Sequence, residues 1–70
     1  MSSFVRFVLL HKEIDDPVGD LARDILADPK VNRNWGYKRF VKHLEMMNAS
    51  PRVFVIVDAL EEYYRQMRLI

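Results

Sequence analysis

Seventy residues, half of them hydrophobic and 30% charged, are enough for one globular domain over 1–70, near the lower size at which a single core outweighs chain entropy. Such a chain has little material for an enclosed catalytic cleft, and a net charge of +1 gives no overall pull toward polyanions. The absence of cysteine excludes a disulfide framework and any thiolate metal site, and it suits a reducing compartment.

The opening "MSSFVRFVLLHKE" holds an apolar run too short to cross a bilayer, without a basic leader or a small-residue cleavage signal, so a cytoplasmic protein is expected. Ser3 is placed to cap a first helix near 3–11, with Phe4, Phe7, Val8 and either Leu9 or Leu10 turned inward. The acid-rich "KEIDD" ends it.

"DDPVGDLARDILAD" is the clearest helix start in the chain. Asp16 is suited to cap orphan amides, and Pro17 at the first helical position sacrifices no hydrogen bond. In this helix, near 17–28, Val18, Leu21, Ala22 and Ile25 form one apolar stripe, while Asp16, Asp20, Asp24 and Asp28 recur every four residues on another face. Pro29 stops it, and "PKVNRN" reads as a loop.

The next segment, "NRNWGYKRFVKHL", contains four Lys/Arg residues, a histidine, three aromatics and no acid. It predicts a helix near 35–47 with Asn34 as cap, Tyr37, Phe40, Val41, Leu44 and Met47 inward, and Lys38, Arg39, Lys42 and His43 on the opposite arc. Asn48 is placed to terminate it.

A last helix, near 51–68, repeats the cap-and-proline start with Ser50 and Pro51. The run "VFVIV" has strand-like propensity, but no second strand exists to pair with it, and Leu60, Tyr64 and Met67 extend the stripe begun at Val53 and Val57. Either this helix is the buried centre of the bundle or part of its surface is covered by another chain. The expected class is all-α, a compact four-helix bundle.

Chemistry finds few footholds. There is no Cys or Thr, and Ser2, Ser3 and Ser50 lie at the terminus or in capping positions, so no nucleophile stands beside a base. His11 and His43 have no second His three or four residues on, which reads as solvated surface histidine rather than a metal ligand or general base. The aspartate stripe lacks a calcium-type loop and is read as a solvated face whose first members complement the helix dipole. A non-enzyme with no cofactor and no metal is expected.

Charge is unevenly spread. Six acids and one base lie between Glu13 and Asp28, and five bases with no acid between Lys30 and His43. Trp35 and Tyr37 beside these bases have the ingredients of a single-strand stacking surface, although Tyr37 falls on the core side and Trp35 is placed to cover the start of its helix. Met46 projects into the basic arc, which suits a protein contact better than a phosphate contact.

"DDPVGDLARDI", "YKRFVKHLE" and "ALEEYY" together resemble the YozE SAM-like family of small bacterial proteins, also met in phage and mobile elements. The resemblance runs from about Ser3 to Gln66, is most specific over Asp16 to Ile25, and takes in Phe4, Phe7 and Tyr64 as family aromatics. It implies a bundle similar to sterile alpha motif domains and no catalytic residues. "VFVIV" is more apolar than that family's pattern, which points toward association.

The first functional reading is an interaction module that binds a protein partner or itself. Its candidate basic surface is Lys30, Arg33, Trp35, Lys38, Arg39, Lys42, His43 and Met46, and its acidic counterpart Asp20, Asp24 and Asp28. The alternative is weak, salt-dependent nucleic-acid binding through residues 30–43. No membrane contact is expected.

Overall fold

The computed structural model describes residues 3–68. Among these residues four helices make up the fold: α1 (Phe4–Leu9), α2 (Pro17–Ala27), α3 (Tyr37–Met46) and α4 (Pro51–Arg68). No strand occurs among the described residues, and the arrangement is a compact all-α four-helix bundle.

α1 is short because its job is to be surrounded. Ser3 Oγ accepts the Arg6 backbone N–H at 3.2 Å, capping the helix as the sequence predicts. Phe4, Val5, Phe7 and Val8 are all buried, and α1 touches each of the other three helices. The centre of the bundle is therefore α1. In α4, only Val57 and Leu60 are buried, which corrects the expectation that the "VFVIV" helix would be central. Leu9 packs against the core and Leu10 is exposed, resolving the choice between them.

The loop before α3 clamps the start of α1. Trp35 C=O accepts the Val5 N–H at 3.2 Å, one of the donors that a helix start leaves orphaned. Ser3 Oγ donates to Arg33 C=O, and the Arg6 guanidinium donates twice to Asn34 Oδ1 at 3.3 Å. Asn34 is thus occupied by α1, and Gly36, with extended backbone and no side-chain cap, precedes α3 instead. The helix accordingly starts two residues later than expected.

α2 begins as its sequence dictates, with Asp16 Oδ1 accepting the Gly19 N–H at 2.9 Å and Pro17 in the first turn. Leu21, Ala22 and Ile25 are buried and Val18 packs beside them. Gly19 has a tertiary reason: a Cβ there would lie 1.7 Å from the Ile14 carbonyl oxygen, so the α1–α2 loop crosses the helix backbone at a distance only glycine permits. Arg23 fastens the same loop by donating to the carbonyls of Lys12 (2.8 Å) and Ile14 (3.2 Å), while also pairing with Asp20.

α3 ends on Asn48, as expected, in the left-handed region at φ 55°. The Ala49 N–H reaches Leu44 C=O at 3.0 Å and the Asn48 N–H reaches Glu45 C=O at 3.1 Å, the two bonds of a Schellman stop. The chain then turns sharply into Pro51. Aromatic edges lock the centre: Phe4 meets Tyr37 at 5.5 Å and Tyr64 at 5.7 Å, both nearly perpendicular, and Phe40 lies beside it at 6.2 Å.

Candidate interaction surfaces

The basic segment divides into two groups. Lys30 and Arg33 sit on the loop between α2 and α3, and Lys38, Arg39, Lys42 and Met46 line the outer side of α3; all are exposed. Met46 is 72% exposed, an apolar group standing among bases. Among the described residues no ion pair uses Lys30, Arg33, Lys38 or Lys42.

Trp35 and His43 belong to the second group, which faces inward. The His43 side chain is only 11% exposed, and its Nε2 lies 3.2 Å from Asp28 Oδ2. Since a carboxylate only accepts, Nε2 carries the proton. The Trp35 ring lies 5.4 Å from the imidazole and beneath the Arg39 guanidinium at 4.8 Å. A continuous chain, Arg39–Trp35–His43–Asp28, thus runs from solvent into the seam between α2 and α3. This corrects the reading of His43 as a solvated histidine: three residues beyond Phe40, it lies only about 60° round the helix from that core residue.

Asp28 is changed by the same contact. Its Oδ1 accepts the Lys30 N–H at 2.9 Å, and this bond together with the His43 ring holds its carboxyl below the usual carboxylate range. Of the four stripe aspartates, Asp16 caps α2, Asp20 pairs with Arg23 and Asp28 joins α3. Asp24 alone among them has no ion-pair or hydrogen-bond partner among the described residues, and it is exposed.

His11 is likewise not a free surface group. Its Nδ1 lies 3.2 Å from Phe7 C=O and 3.3 Å from Val8 C=O, so it closes the end of α1 and meets the Phe7 ring edge to face. No group of three or more His, Cys, Asp or Glu side chains suited to a metal occurs among the described residues. Among these residues, too, no helix is long and apolar enough to cross a membrane.

Two features escaped the sequence reading. Across the α3–α4 seam, Tyr37 O–H donates to Asp58, a bond that pushes the phenol up to about 12. One turn on, burial pushes the Glu61 carboxyl above its usual range, and Glu61 Oε2 is buried without a hydrogen-bond partner among the described residues. The second feature is an apolar cleft of about 280 Å³ among α2, α3 and the start of α4, lined by Leu21, Ile25, Phe40, Leu44, Met47 and Val53. Met47, expected inward, is instead 55% exposed at its mouth, because the helix stops at Met46 and α4 does not close over it. Helical periodicity carries no signal for either feature, since both arise where separate helices meet.

Comparison with known proteins gives no counterpart: no family model, no curated protein and no solved structure matches the chain.

Proposed function

We propose that this protein is a non-enzymatic cytoplasmic interaction module that binds a protein partner, or a second copy of itself, through unlike charged surfaces. The observation that carries the reading is the outer face of α3, where exposed Lys38 and Lys42 have no ion-pair partner among the described residues and run in one row to the protruding Met46. Apolar and cationic groups together suit a partner with an acidic, partly apolar surface. The acidic side of α2, at Asp20 and Asp24, offers the opposite chemistry on the same molecule. Such charge pairing selects and steers partners more than it adds affinity. The proposed membership of the YozE SAM-like family fits a module of this kind, and the absence of cysteine fits a reducing cytoplasm.

Sedimentation of the protein at high concentration tests the reading. Lys38→Glu combined with Lys42→Glu is expected to lower the average mass, or to abolish binding of a partner once one is in hand; an unchanged mass and unchanged partner binding sink this surface.

Nucleic-acid binding is the second reading, favoured by the five exposed bases Lys30, Arg33, Lys38, Arg39 and Lys42. Against it, the Trp35 ring is already covered by Arg39 and flanked by His43, leaving less of its face for a base. Amide shifts on adding an oligonucleotide that cluster over residues 30–43 and persist near physiological salt would put this reading first.

A further inference from the structure

Between α2 and α4 the side chains leave an open trough. The cleft of about 280 Å³ beside α3 adjoins a second hollow of about 190 Å³ bounded by Pro17 and Ile56. Leu21, Asp24 and Val53 line both, so the two lie side by side along the α2–α4 seam. Asp20 and Asp24 form the α2 lip, and Arg52 lies on the α4 side. The two aspartates are one helical turn apart, about 6 Å along the axis.

This trough accounts for Val53 and Ile56 of "VFVIV", while Val55 stands 69% exposed outside it. Val57 is buried in the core, and Val53 and Ile56, one turn apart, pack against that core, stay partly exposed and line the trough. A buried helix would have covered them. What the fold leaves is an apolar floor beside a negative lip, the complement of an amphipathic helix with basic flanks.

We infer that the trough receives an amphipathic helical segment of another protein, with apolar side chains along one face and lysines or arginines beside them. The inference deepens the proposed interaction role and rests on it. The apolar floor accepts many apolar stripes; Asp24, unpaired among the described residues, favours those that bring positive charge to the α2 edge, where Asp20 is already matched by Arg23, while Arg52 faces the other edge. The basic helix of a second copy is a poorer fit. Its Phe40, Val41 and Leu44 are engaged with its own core, which leaves Met46 and Met47 at the helix end as the exposed apolar groups.

The test is an NMR titration of the isotope-labelled full chain with a synthetic amphipathic helix bearing leucines on one face and lysines beside them. The control peptide replaces each lysine by glutamate. Amide shifts are expected at Leu21, Asp24, Ala49, Val53 and Ile56, with the control binding about tenfold more weakly. Asp24→Lys is expected to weaken the lysine peptide about fivefold without changing the melting temperature. Ala49→Leu, which fills the cleft, is expected to reduce binding while the protein stays folded.

Equal binding of the two peptides, shifts confined to α3, or no binding at all would overturn the trough assignment. If, on raising the protein concentration alone, the same trough amides shift, the occupant is a second copy and the separate partner is wrong. The wider interaction reading fails separately. It falls only if the protein also stays monomeric at every concentration and ignores Lys38→Glu with Lys42→Glu.

Discussion

The two flanks of α2 are built on opposite terms. Toward α1 the helix is sealed: the loop backbone crosses at Gly19, Arg23 ties its carbonyls, and Leu21, Ala22 and Ile25 meet the fully buried Val5 and Val8 in one core. Toward α4 it is open, with partly buried Val53 and Ile56 across a trough and Asp24 unpaired at the edge among the described residues. One flank holds the fold together and the other is left to recruit. A domain of this size cannot spare both.

The sealed flank is the place to break the contrast first. Gly19→Ala puts a methyl where the Ile14 carbonyl stands, and because both contacting groups belong to backbone, the α1–α2 corner must shift. A loss of about 3 kcal/mol is expected, at the upper end of overpacking costs. In a domain this small that lowers the melting temperature by more than about 10 °C in a circular dichroism melt. An unchanged melting temperature would mean that the corner is loose and the flanks are not so different.

Between the two extremes lies the α3–α4 seam, where a polar latch borders an open hollow lined by Tyr37, Asp58 and Glu61. Tyr37→Phe removes the bond to Asp58 and is expected to cost about 1 kcal/mol, a typical net value for a partly exposed hydrogen bond. Its pH signature has a definite sign. The folded phenol is raised from 10 to about 12, so the unfolded chain ionises first, and the latch's stability is full below pH 10 and lost as pH climbs toward 12. The wild-type melting temperature should therefore fall more than the variant's across that window; parallel falls would show that the latch is absent in solution.

How much of this the sequence discloses depends on the range of each interaction. Caps and stops are local, and so Ser3, Asp16 with Pro17, and Asn48 are legible from a few neighbouring residues. Gly36 is not, because Asn32, Asn34 and Gly36 all suit a turn and the contact that decides among them comes from Arg6, far away in the chain. The candidate surfaces divide similarly. Lys38, Lys42 and Met46 are exposed where the helical wheel puts them, whereas His43 and Asp28 leave the surface to find each other across α2 and α3. The trough depends on the spacing of two helices, which no periodicity encodes. Only the surplus of apolar residues at 53–57 hinted that something besides the core was to be covered.

The smallest effect on stability is the most informative about the open flank. Ala49 is partly exposed at the cleft among Leu44, Met47 and Val53, and its N–H is already bound in the α3 stop. Enlarging its side chain leaves that bond intact and adds carbon atoms to unfilled space. Ala49→Leu should accordingly change stability by no more than about 0.5 kcal/mol, with a slight gain if the leucine covers Phe40 and Val53. In a closed core the same substitution would overpack by about 1–3 kcal/mol. A neutral or raised melting temperature, beside the large loss at Gly19, means that the cleft is open space in solution; a drop comparable to that of Gly19→Ala means that α2 and α4 close on each other and no trough exists to be occupied.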